Sequence, residues 1–533
     1  MDRSRATRAL AQGEHGMVAT PHHLASIASL EVLRDGGSAV DAAICAAATL
    51  GVVLPHMTGI GGDAFWLVHP AGAGRPVAID GSGPSGAAVD PARFAGEAAI
   101  PLRGPRAALT VPGAVESWGI AHRRWGRLPL TRLLEPAIAY ARNGAPVSED
   151  LAKWIVERAS VLRDDPGSSS LFLAADAPVA AGSRLEQPAL ADTLEAIASR
   201  GPRHFYETTA ASIVRCLDAA GGMLRTDDFA AYRALEVEPI SVRYRDCVAW
   251  QAPPPSQGIA GLMILSFLDG IDLARAGDGS LGYYHALIQA IKWAFRKRDA
   301  HLTDPRFHAI PIVDLLDPAR ARAERDRWLA DPSIAQDSPP SGDDTVFIAT
   351  ADREGNAVGL VQSLYFDFGA AVLDPASGVL LQNRGSYFSL DARHPNALAP
   401  RKRSASTLMT GILYRGGTPY LVHGTQGGEV QAQTNASLVT RVVDFGLDPQ
   451  RAIEAPRVLY GRSWEDSTNQ LLIESTVGDD VLGALRARGH PAEVAPWPSP
   501  RMGTAQAIRV KGASRAFHEG GADPRGEGIA LGW

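Results

Sequence analysis

Apolar positions along this chain follow first a helical period and later a strand-like one. Leu24, Ile27, Leu30 and Leu33 recur at helical spacing, and Gly36-Gly37 ends the run. Ser38 is placed to cap a second helix that opens Ala39-Val40-Asp41-Ala42-Ala43-Ile44. Residues 65–69 read as a strand, and Leu130 to Arg142 as a helix stopped by Asn143-Gly144. A longer helix runs from Tyr283 to about His301 and ends before Asp304-Pro305. From Thr345 the residues turn apolar and β-prone, Asp352-Arg353-Glu354-Gly355-Asn356 supplies a turn, and residues 357–361 complete a hairpin. Tyr420 to His423 reads as a further strand and Val430 to Phe445 as a helix. The pattern predicts mixed helix and sheet, with no internal repeat.

Residues 336–342 lack apolar periodicity and read as an exposed linker directly before that hairpin. A cut between Asp344 and Thr345 would place a hydroxyl and a new α-amine on one residue at the start of a strand. A threonine hydroxyl needs an adjacent base to act as a nucleophile, and an N-terminal amine is one. Its unperturbed pKa, near 8, suits work at neutral pH.

Composition narrows the field by exclusion. A chain of 533 residues buries a large core with ease. Its 45% hydrophobic and 21% charged residues are ordinary for a globular protein, and a net charge of −6 without a basic patch argues against nucleic acid as a partner. Cys45, Cys216 and Cys247 are sparse and show no CxxC spacing, which fits a reducing compartment and no zinc site. The first ten residues lack the apolar core of a secretory signal, and no run approaches the roughly 18 apolar residues of a membrane span. A cytoplasmic enzyme without metal or organic cofactor is the expectation. Gly59-Ile60-Gly61-Gly62 precedes a strand, whereas a dinucleotide fingerprint follows one. Adjacent His22 and His23 cannot share a helical face as metal ligands do, and no GxSxG elbow is present.

Several motifs, in order and spacing from about Gly16 to about Tyr460, make the chain resemble the γ-glutamyltransferase family. They include Gly36-Gly37-Ser38-Ala39-Val40-Asp41-Ala42-Ala43, Pro55-His56-Met57-Thr58-Gly59-Ile60-Gly61-Gly62-Asp63 and Val111-Pro112-Gly113. Further on come Ala252-Pro253-Pro254-Pro255-Ser256, Asn356-Ala357-Val358 and Gly424-Thr425-Gln426-Gly427-Gly428. The resemblance implies an α+β fold, a four-layer αββα sandwich of the N-terminal nucleophile hydrolase type. It also implies self-cleavage between Asp344 and Thr345 into a large segment, 1–344, and a small catalytic segment, 345–533, that stay together as one fold. Thr345 would then be the nucleophile, and Ser363 would stand where the family has a threonine bonded to it. Gly427 and Gly428 match the pair that forms the oxyanion hole, and backbone N–H groups at a helix start suit that task. Ser406 and Thr407 match a Ser-Ser pair that contacts substrate.

The departures bear on the substrate. Glutamyl-recognising members use an arginine for the α-carboxylate where this chain has Ser82, which lacks an arginine's fork. They hold the α-ammonium group with an acidic residue where this chain has Tyr387. Arg384 adds a charge suited to a carboxylate without an ammonium group. The chain thus looks closer to the amidohydrolase branch, with oxamate amidohydrolase and cephalosporin-acylase-like proteins, and to a small-molecule amide substrate. A true γ-glutamyltransferase or glutathione hydrolase, or a non-catalytic relative, are the alternatives.

Overall fold

The hairpin of strands Asp344–Asp352 and Ala357–Tyr365 lies at the middle of a seven-stranded antiparallel sheet. The computed structural model describes residues 7–331, 344–461, 470–512 and 516–533, so the linker expected at 336–342 lies outside the described residues. Strand order in this sheet is 529–532, 16–20, 344–352, 357–365, 63–69, 77–81, 235–237. Strands from before and after residue 345 are therefore interleaved in one hydrogen-bonded sheet. A second antiparallel sheet, also of seven strands, runs 11–13, 518–522, 505–509, 418–425, 411–415, 247–251, 240–244.

Side-chain alternation along the central strand explains the layering. Phe347 and Ala349 point into the space between the sheets, with Phe65, Leu67, Val361, Ile412, Val422 and Ile508. Val346 and Ile348 point the other way, into helices His23–Arg34, Ala39–Val53, Ala114–Trp125 and Leu130–Asn143. The outer face of the second sheet packs on helices Gly258–Leu268, Leu281–His301 and Val430–Val443. The result is the four-layer αββα sandwich. Burying one aromatic such as Phe347 is worth about 1.5–3 kcal/mol, so the middle layer holds the sheets together firmly. A Cβ on Gly424 would overlap the Phe347 ring, so a glycine there lets the two sheets approach.

Local chemistry sets the helix ends. Ser38 and Asp41 form a reciprocal capping box at the Ala39–Val53 helix, whose every position is buried. Gly144 ends the Leu130–Asn143 helix at φ 86°. The helix His23–Arg34 forms as its periodicity predicts, but Ile27 stays 43% exposed while Ala25, Ala28 and Ser29 are buried. Small residues face the neighbouring helix so that Ser29 Oγ can donate to the Ala42 carbonyl at 2.9 Å. Among the described residues, no helix is long and apolar enough to cross a membrane.

Candidate active site

Thr345 is buried at an irregularity in the central ladder. Asp344 pairs with Tyr365 and Val346 with Gln362, so Thr345 faces two residues, Ser363 and Leu364, where regular pairing would supply one. The extra residue bends the strand, as bulges do, and Tyr365 takes φ 86°, a conformation that costs a non-glycine residue of order 1–3 kcal/mol. The Ser363 hydroxyl accepts from the Tyr365 N–H at 2.7 Å and holds that bend. The Thr345 Oγ1 lies 3.5 Å from Gln431 Nε2, at the edge of hydrogen-bond range.

Gln431 belongs to the first turn of the helix Val430–Val443, just after Gly427 and Gly428 at φ 110° and 51°. Three carbonyls of the preceding turn are anchored. Thr425 Oγ1 donates to the Gln426 carbonyl at 2.9 Å, and the Val430 N–H to the Gly427 carbonyl at 2.8 Å. Gln257 Nε2 donates to the Gly428 carbonyl at 2.8 Å. In a trans peptide the N–H points away from the carbonyl of the preceding residue, so the anchors on the Gln426 and Gly427 carbonyls turn the N–H groups of Gly427 and Gly428 to the opposite side, while the Gln257 anchor fixes the Gly428-Glu429 peptide that follows. Two such donors at a helix start can receive a developing oxyanion.

Ser406 and Thr407 lie in a buried strip tied to residues 253–257. The Ser406 N–H donates to the Pro255 carbonyl at 2.8 Å and the Ser406 carbonyl accepts from the Gln257 N–H at 2.8 Å. The Ser406 hydroxyl accepts from the Leu408 N–H at 3.3 Å.

The charged residues refine the expectations drawn from the sequence. Arg384 is a buried guanidinium, not an open one: Nε and Nη2 form a fork with Asp63 at 2.9 and 3.1 Å. Its Cζ sits 4.3 Å from the centre of the Tyr365 ring, and Nη1 is buried with no hydrogen-bond partner among the described residues. Tyr387 packs on Tyr365 with ring centres 5.5 Å apart, and burial raises its phenol above the ordinary range. Ser82 donates through its hydroxyl and its N–H to Asp80 at 2.5 and 2.8 Å, and its carbonyl accepts from Arg403 Nε at 3.0 Å. Burial raises the Asp80 carboxyl, with Arg403 opposing the shift from 3.6 Å away.

Asp63, Asp80 and Arg403 are the site neighbours that sequence reasoning passed over. Asp63 stands inside a motif quoted for its resemblance, and it pairs in register with Ser363. Arg403 closes an Arg-Lys-Arg run just before Ser406, a visible signal for a basic group near the strip. Among the described residues, no cluster of histidine, cysteine and acidic side chains could hold a metal ion.

Comparison with known proteins gives the family and the fold. The model of the gamma-glutamyltranspeptidase family matches residues 25–533. A glutathione hydrolase-like YwrD proenzyme from Bacillus subtilis is 44% identical, over 98% of this chain and 99% of the relative. An oxamate amidohydrolase proenzyme from Klebsiella pneumoniae is 40% identical, over 97% of this chain and 98% of its own length. The crystal structure of cephalosporin acylase from Bacillus halodurans superposes with a TM-score of 0.90 at 34% identity, covering 99% of this chain and 98% of that one. With a match over nearly its whole length and a structural superposition of the same extent, the chain belongs to the gamma-glutamyltranspeptidase family of enzymes, in the N-terminal nucleophile hydrolase fold.

Proposed function

We propose that this chain is a self-processing threonine amidohydrolase acting on the amide of a small acid. One observation carries the reading: Thr345 is buried opposite Ser363 at the bent start of the central strand, with Gln431 tying it to the Gly427-Gly428 turn. In processing, Thr345 Oγ attacks the Asp344 carbonyl carbon, the peptide C–N bond breaks, and nitrogen takes the hydroxyl proton as the acyl group moves to oxygen. Water then hydrolyses that ester and leaves Thr345 with a free α-amine.

In turnover, the amine accepts the hydroxyl proton as Oγ attacks the substrate carbonyl. The N–H groups of Gly427 and Gly428 stabilise the oxyanion, and removing one such donor elsewhere costs about 10²–10³ in rate. The protonated amine delivers the proton to the leaving nitrogen, and water completes hydrolysis of the acyl-Thr345 ester. Asp63 and Asp80 already balance Arg384 and Arg403, so the pocket carries no surplus charge for a zwitterionic amino acid. Arg384 Nη1 remains as a single donor for a substrate carboxylate or carbonyl oxygen.

The YwrD relative's name favours a second reading, glutathione hydrolysis. A substrate panel of oxamate, glutaryl amides and glutathione separates the two. An SDS gel of wild type and Thr345→Ala tests the nucleophile: wild type should give two fragments and the variant one inactive chain. A variant that splits and turns over would remove Thr345 from this role, and an unsplit, inactive wild type would point to a non-catalytic relative.

A further inference from the structure

We propose that Gln257 is a positioning residue that anchors the Gly428-Glu429 peptide against the Ser406-Thr407 strip and so fixes where the Gly427-Gly428 turn, with its N–H groups, sits. The inference rests on the reading of Thr345 as nucleophile.

A turn of two glycines has a permissive backbone and no side chains to resist rotation of its peptide planes. Its orientation must therefore come from outside partners. Gln257 is one, and it is fully buried. Its Nε2 donates to the Gly428 carbonyl at 2.8 Å and also to the Thr407 carbonyl. Its Oε1 accepts from Arg298 Nη1 at 3.0 Å. With two carbonyls at the nitrogen and a guanidinium at the oxygen, the amide has one workable orientation. The backbone N–H of the same residue is committed to the Ser406 carbonyl.

Arg298 closes the circuit. Its Nη2 donates to Glu429 Oε1 at 2.6 Å, and Glu429 directly follows Gly428. Gln257, Gly428, Glu429 and Arg298 thus form a buried ring around the peptide that joins the turn to its helix. Gln431 ties the same two segments on another side: Oε1 accepts from the Met409 N–H at 3.0 Å while Nε2 approaches Thr345. The Gln257 side chain grips the Gly428 carbonyl, which also accepts from the Gln431 N–H at 3.2 Å.

Gln257→Glu keeps the shape and the Arg298 contact but sets an acceptor against two carbonyls. Gln257→Met removes donor and acceptor without adding charge. Self-processing is followed on SDS gels, and kcat and KM are measured with glutaryl-p-nitroanilide and γ-glutamyl-p-nitroanilide, alongside thermal unfolding. A displacement of about 1 Å can cost on the order of 100-fold in rate. We expect kcat to fall about 10- to 100-fold in both variants, with KM within a few-fold of wild type and the folded state retained. Wild-type turnover matched by both variants overturns this inference alone. So does a loss in both variants that tracks unfolding or falls on KM, because Gln257 would then be ordinary core. A wild-type chain that neither splits nor turns over either anilide overturns the nucleophile reading, and this inference with it.

Discussion

Arg384 and Asp63 form a forked ion pair in the interior, with nitrogen-to-oxygen distances of 2.9 and 3.1 Å and each side chain at most 2% exposed. Asp63 also stands in strand register with Ser363, so the pair lies beside the strand position opposite Thr345. Breaking a buried pair by removing one partner typically costs about 3–5 kcal/mol, since the other charge is left uncompensated. Asp63→Ala should therefore lower the unfolding temperature markedly, and Asp63→Ala with Arg384→Met should recover most of the loss. A single variant as stable as wild type would show that the pair contributes little.

Ser363 makes a separate demand. Its hydroxyl accepts from the Tyr365 N–H and supports the bend opposite the Asp344-Thr345 junction. Ser363→Ala should slow self-processing about ten-fold or more, in line with a hydrogen bond of about 0.5–1.5 kcal/mol and the strain it holds. Ser363→Thr should process near the wild-type rate. A time course on SDS gels after purification reads both.

Gly427 and Gly428 differ in what they tolerate. Gly427 at φ 110° lies where L-residues rarely go, and a Cβ there would sit 3.1 Å from the Val430 Cβ. Gly428 at φ 51° lies in the left-handed region that other residues enter at modest cost. Gly427→Ala should depress turnover far more than Gly428→Ala, by about 100-fold if one oxyanion donor is lost. Wild-type turnover in Gly427→Ala would place the oxyanion donors elsewhere.

What the sequence could show followed from period and punctuation. The hairpin around Asp352 to Asn356 and the helices stopped at Gly36 and Gly144 were legible because their turn residues have a local cause. The Ala39–Val53 helix was seen only at its capped start, since a helix buried all round has no polar face to mark its period. The pairing of Arg384 with Asp63 was not legible, because 321 residues separate them and long-range backbone pairing, Ser363 with Asp63 and the Gln382 N–H with the Gly61 carbonyl, brings them together. Arg403 was visible only as part of a basic run, because its contact with the Ser82 carbonyl joins two strips far apart in sequence.

Selectivity gives the sharpest test of the proposed substrate class. If Ser82 and Tyr387 stand where glutamyl-recognising enzymes place an arginine and an acid, as the sequence resemblance implies, both charge partners are missing, and the Ser82 hydroxyl is already spent on Asp80. Each charge-assisted hydrogen bond is worth roughly 1.5–3 kcal/mol, so losing two should cost about two to four powers of ten for a zwitterionic substrate. Arg384 Nη1 offsets part of this for an acid that lacks an ammonium group. A small acid amide should therefore show higher kcat/KM than glutathione. Arg384→Ala alone would leave Asp63 buried and unpaired, so the clean variant is Asp63→Asn with Arg384→Gln, which keeps the pocket neutral. That double variant should lose about ten-fold or more on the acid amide and little on any residual glutathione hydrolysis, because a single charge-assisted bond of that strength is removed. If glutathione proves the better substrate by about ten-fold, a margin of about 1.4 kcal/mol, the amidohydrolase reading fails while Thr345 keeps its role.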